Sequence, residues 1–278
     1  MFFGAIAIAL SSFVGCTDLG EVAKFSALAD SASTSLTGLV SDFKGTCLRS
    51  NALAPVRNGV RIDQRDCSIY DKLTPEIQAD QKVLTDYLKA LGQLAADNDP
   101  GYSKPVTALG GQFKTAGLNA DQVAAAGAAS SLAVKISDAA LAGYRRKKIS
   151  KLVSDSNNDV KILTQALSNI VSTDYAIMLS NEEEGLQDYY NTAIKNDAGK
   201  DPLSVILIQK QFDDESANLQ KRLDAAKAYG VLMKSIADAN QKIADQKDAI
   251  SSKDLVKLIG PQLADIAQST NDLRQAFK

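Results

Sequence analysis

Leu219, Leu223, Ala226, Gly230, Met233 and Ala237 recur at alternating steps of four and three residues, and that spacing constrains the fold more than any other feature. On a helix of 3.6 residues per turn these positions form one apolar seam. Its Ala and Gly members allow a second helix to approach closely. Tyr229, Leu232, Ile236 and Ile243 widen the seam, and Val205, Ile208, Phe212 and Ala244 extend it. A strand has a period of two and cannot use such a pattern.

The same period recurs along the chain. Val22, Phe25, Ala29, Ala32, Leu36, Leu39 and Phe43 predict a first helix over 18–44. Thr74-Pro75-Glu76 predicts the start of a second, with Thr as cap and Pro at the first helical position. Asn98-Asp-Pro-Gly101 stops it, and Pro105, Gly110-Gly111 and Gly117 make the interval to Leu118 an irregular loop. From Asn119 the pattern predicts one rod over 120–152, its Arg145-Arg-Lys-Lys148 run complementing the helix dipole at the far end. Val160, Leu163, Leu167, Ile170, Ile177 and Met178 give the next stripe, with Asp174 on the same side. Asp197–Pro202 is the clearest break in the second half and a possible subdomain boundary. Gly260-Pro261 predicts a kink or division in the last helix. Only Val60-Arg-Ile62, after the Asn58-Gly59 turn signal, alternates like a strand. The expected fold is all-α: an elongated, mainly antiparallel bundle of five or six long helices.

Composition prunes the chemistry. The chain of 278 residues has no histidine, which removes Ser-His-Asp and Cys-His catalysis and the common catalytic zinc sets. Charges nearly balance, 31 basic against 33 acidic, so nothing calls for nucleic acid as a partner. Aromatic residues make up 6%, which suits close-packed helices better than a large ligand cavity. Glu182-Glu183-Glu184 and Asp213-Asp214-Glu215 could meet across helices and hold a divalent cation, but neither has calcium-loop spacing, and solvated helix surface is the stronger reading. Tyr175, Tyr189 and Tyr190 could line a recognition surface or sit at a core edge with hydroxyls in water. No catalytic residue, metal ligand or cofactor-binding residue is assigned.

The three cysteines divide into one and two. The uncharged run from Met1 to Leu10, continuing to Cys16, has the apolar character of an export signal and is too short to cross a bilayer as a helix. Phe13-Val14-Gly15-Cys16 resembles the lipobox of bacterial lipoproteins, with Phe13 where Leu is usual. That resemblance implies removal of 1–15 and acyl chains on Cys16, so that the bilayer is one partner. Thr17, where retained lipoproteins often carry Asp, favours the outer membrane with 16–278 facing the periplasm as a single helical domain. An exported chain with Cys47 and Cys67 left over predicts one disulfide around the Arg-rich loop between them, placed near the tethered end.

The resulting expectation is a non-enzymatic envelope lipoprotein: a scaffold, an assembly accessory or an immunity-type inhibitor. It would contact an envelope protein through loops 44–74 and 97–118, where long bundles carry irregular backbone. A carboxylate-using enzyme or small-ligand sensor of cell-wall or lipid material is the first alternative. A helical adhesion or secretion component is the second.

Overall fold

In the computed structural model the described residues are 20–34, 37–57, 60–95, 120–141, 145–197, 201–246 and 253–277. They form helices α1 (Gly20–Thr34), α2 (Thr37–Leu53), α3 (Tyr70–Ala95), α4 (Ala120–Leu141), α5 (Arg145–Asn169), α6 (Ala176–Asp197), α7 (Pro202–Asp245) and α8 (Lys253–Ala276). A two-stranded antiparallel hairpin, β1 (Val56–Arg57) and β2 (Val60–Arg61), lies between α2 and α3. No described helix is long and apolar enough to cross a membrane.

Two rods set the length. A π-helical turn at Ile170–Tyr175 joins α5 to α6 without a break, so Arg145–Asp197 runs for about 80 Å at 1.5 Å per residue. α7 returns alongside it, started by Pro202 in the first turn and by Asp201, whose carboxylate accepts the Leu203 N–H. Around one half of this pair, α1, α3, α5, α7 and α8 pack in a closed ring, each against the next, and α4 lies outside on α3 and α5. Phe25, Tyr87, Leu132, Leu167, Tyr229, Ile236 and Ile266 are among its buried core residues. Around the other half α2 packs on α6 and α7, and Tyr70 at the start of α3 donates to the Met178 sulfur of α6; beyond about residue 190 the described residues of the two rods form an arm and are mostly exposed.

The sequence pattern fails in four places, each for a physical reason. Helix α3 begins at Tyr70, not at Thr74-Pro75. Asp66 accepts the Ser68 N–H, and turn bonds from Tyr70 and Asp71 to Cys67 and Ser68 open the helix earlier, leaving Pro75 inside it. The rod expected over 120–152 is folded into the α4–α5 hairpin, clamped by Lys135 on Asp159 at 2.7 Å. The Arg145–Lys148 run therefore opens α5 rather than ending a rod, so it does not complement the dipole there. The single helix expected over 18–44 appears as α1 and α2, the second continuing to Leu53, where Arg61 donates to the Ala52 carbonyl. Pro261 lies within α8, which is not divided.

The π turn corrects the fifth expectation. One extra residue per turn rotates everything after it by about 100° relative to the α5 stripe. Ile177 is consequently 56% exposed and Asp174 is exposed, while Tyr175, Leu179, Glu182, Leu186 and Tyr190 turn inward.

The interior is not wholly apolar. Tyr87 donates to Asn240, Asn240 to Asn157 and Asn157 to Gln241, which ties α3, α5 and α7 through satisfied polar groups. Gln81 donates to the Tyr229 hydroxyl. Beside it the Asp80 carboxyl is buried with one oxygen unpartnered, and burial, with the negative Glu76 nearby, pushes its pKa up to about 7. An unfolded Asp titrates near 4. The folded state thus binds the extra proton between these values, and stability falls as pH rises from about 4 to about 7. Asp80→Asn is expected to raise the thermal midpoint at pH 8 and to flatten this slope relative to the parent. Equal midpoint differences at pH 5 and pH 8 would refute the assignment.

Gly92 sets how closely α1 and α3 approach: a Cβ built there would lie 2.8 Å from the Ser26 Cβ. In an open helix Gly→Ala stabilises by roughly 0.5–1 kcal/mol. Here Gly92→Ala is expected to destabilise by about 1–3 kcal/mol through overpacking. Adding Ser26→Gly should recover most of the loss in urea titrations.

Candidate functional site

The hairpin beside α2 is fixed at its base by the disulfide Cys47–Cys67, whose Cα atoms are 5.8 Å apart. The predicted pairing is therefore present. Its loop, with a sequence separation of 20, contributes about 3 kcal/mol in the chain-entropy account. Val56 pairs with Arg61 and Arg57 with Val60, the register that a two-residue Asn58-Gly59 connection requires. Asn51 braces the segment by accepting the Arg65 N–H and donating to the Arg65 carbonyl. Arg61 donates to the Ala52 carbonyl, drawing the hairpin over the end of α2. The disulfide is far from the beginning of α1. Gly92, near the end of α3, faces Ser26, whereas Asp71, at its start, holds Lys44 beside Cys47. The two places are about 30 Å apart along α3, so the disulfide loop and the start of α1 lie towards opposite ends of that helix; Cys16 itself is outside the described residues.

Under the hairpin four charges join α2, α6 and α7. Arg49 donates to Asp42 and to Glu182, while Arg222 donates to both Glu182 oxygens at 2.7 and 2.9 Å and reaches Asp42 at 3.4 Å. Tyr175 adds its hydroxyl to Asp42 at 2.6 Å. Glu182 is 4% exposed and Arg222 is largely buried, so this pair is stabilised by direct pairing, while Arg49 keeps part of its side chain in water. Burial alone would raise the Asp42 carboxyl. The hydrogen bonds from Arg49 and Tyr175, with the Arg49 and Arg222 charges, hold it below the usual carboxylate range. Burial weakens Arg49's hold on its proton, but bonds to Asp42 and Glu182 outweigh it and raise its pKa.

An open cleft of about 460 Å³ adjoins this cluster, with Arg49, Arg61, Leu53, Tyr189, Gln211 and Asn218 among its lining residues. Tyr189 is half exposed and stands edge-on to Tyr190 at 5.2 Å between ring centres. The Tyr190 hydroxyl is not in water but donates to Glu215, and the buried Tyr175 donates to Asp42. Only Tyr189 retains the surface role that all three tyrosines were candidates for.

The two acidic runs do not converge on a cation site. Glu182 is taken by the arginines, Glu215 by Tyr190 and Gln211, and Asp213 by Gln209. Among the described residues no group of three His, Cys, Asp or Glu could hold a metal. Cys16 and the 97–118 loop lie outside the described residues. The role of Asp42, Glu182 and Arg222 as one unit was missed, because the π turn that brings them together has no mark in the apolar pattern. No family model, curated protein or solved structure matches this chain.

Breaking a fully paired buried cluster leaves an uncompensated charge. Arg222→Leu is expected to cost about 3–5 kcal/mol in chemical denaturation. Arg222→Lys, which cannot form the fork, should fall between the two. A loss below about 0.5 kcal/mol for Arg222→Leu would show that the cluster does not hold the hairpin end together.

Proposed function

We propose that this chain is a lipid-anchored, periplasm-facing protein of the outer membrane whose work is to bind another envelope protein, as a scaffold, assembly accessory or immunity-type inhibitor. The carrying observation is the placement of the hairpin end. Segment 44–74 has six basic residues against three acidic ones, and on it Leu48, Val60 and Ile69 are exposed large apolar side chains. A disulfide and a buried ion cluster fix this surface, so little ordering entropy remains to be lost on docking.

Its position also fits a tether at Cys16. Three residues separate Cys16 from Gly20, and the four steps between them reach at most about 14 Å when extended. The start of α1 would then face the bilayer and the hairpin would face away from it. The 97–118 segment is retained as a second proposed contact surface. The carboxylate-enzyme alternative is weakened because Glu182 and Glu215, the acids lining the cleft, are both engaged by internal donors.

The test is photocrosslinking in the native host from a probe at Val60, with Cys16→Ser as the localisation control. Capture of a defined envelope protein that is lost or reduced with Cys16→Ser supports the reading. An unprocessed, soluble chain with intact Met1 and no acyl mass would overturn it.

A further inference from the structure

Helix α7 has a second face that the bundle uses only in part. From Ala225 to Ile243 buried residues such as Ala225, Ala228, Leu232 and Ala239 lie where α8 runs antiparallel to α7, with Ser235 bonded to Asp265 and Lys242 to Gln262. The same face continues towards the arm tip as Leu203, Leu207, Lys210, Asp214, Ala217 and Lys221, at alternating steps of four and three. α8 ends at Ala276, and all six of these residues are exposed. Leu203 is 63% and Leu207 59% exposed, with Ile206 beside them at 64%. The seam points away from α6, whose Tyr190 packs against Phe212 on the opposite side of α7.

We propose that a second copy of this chain covers this seam, the two arms pairing antiparallel through α7 about a twofold axis. The residue order is self-complementary in the one register that stacks the seam layer by layer. Lys210 then meets the partner's Asp214, and the partner's Lys210 meets Asp214. Leu207 meets the partner's Ala217, a large residue against a small one. Leu203 lies along the aliphatic stem of the partner's Lys221. Sliding one helix by a heptad sets Leu203 against Asp214, or Lys210 against Lys221, so charge selects the register. An isologous pair of this kind closes on itself and leaves no open end for fibres.

Charge also argues against the other occupants. The arm over 183–218 has eight acidic residues against three basic ones, which disfavours an anionic membrane surface. The seam spans about 27 Å of one helix, a small interface by the measure of stable dimers, so association in the micromolar range is expected. The pairing goes beyond the proposed function, since it uses the α7 seam and not the hairpin face.

Sedimentation equilibrium of the full chain carrying Cys16→Ser tests it, with helical content checked for each variant. The parent should show a monomer–dimer equilibrium. Leu207→Glu should be monomeric. Lys210→Asp and Asp214→Lys should each lose at least tenfold in dimer affinity, and mixing the two should restore a dimer. The double exchange Lys210→Asp/Asp214→Lys should dimerise with itself. A monomer at every concentration, or a dimer indifferent to these exchanges, overturns the proposal. So does a monomeric parent that floats with phosphatidylglycerol vesicles and loses that binding on Leu203→Glu. If the dimer is absent while the Val60 probe still captures an envelope protein, this inference fails and the proposed function stands.

Discussion

The register change at Ile170–Tyr175 is the constraint on which the hairpin end depends. In an unbroken α-helix the α5 stripe would carry Asp174 and Ile177 inward and leave Tyr175 and Glu182 facing water. The extra residue in the π turn exchanges them, and Tyr175 and Glu182 become the pieces of α6 that meet Asp42, Arg49 and Arg222. Such π turns are rare and appear mostly as single-turn bulges within α-helices. What holds this one is a set of charged and hydrogen-bonded partners at a junction where α2, with Tyr70 at the start of α3, supplements α6 and α7.

The disulfide and the ion cluster act on the same few residues from different sides. Cys47 and Arg49 are neighbours on α2: one is tied covalently to the segment leading into α3, the other electrostatically to α6. Gly45 is part of this economy. A Cβ there would lie 2.9 Å from both the Arg49 guanidinium and the Asp42 carboxylate, so any larger residue would have to displace the ends of this ion pair. The hairpin is consequently a rigid platform although each strand has only two residues.

Much of the bundle was legible in the sequence because burial on long helices leaves a period. Phe25, Leu39, Leu163, Leu167, Leu232, Ile236 and Ile243 are core residues, as their spacing predicts. The disulfide was legible from cysteine number once an oxidising compartment was inferred. Helix ends were harder. The Pro75 signal is locally sound, but the Asp66–Ser68 turn overrides it, and no apolar spacing distinguishes a continuous rod over 120–152 from a hairpin whose two arms keep the same face. The polar cluster was hidden for another reason: its members lie 7 to 180 residues apart, and their meeting depends on a helix distortion rather than on composition.

The rod made by α5 and α6 passes through two very different surroundings. Its first part is enclosed by neighbours on several sides, whereas its last turns have α7 as their main support. Opening the distal turns exposes little apolar area, so their backbone amides should exchange with solvent long before those of the enclosed part. A single continuous helix thereby serves as a firm mast with a compliant tip, able to adjust its outer end without disturbing the interior.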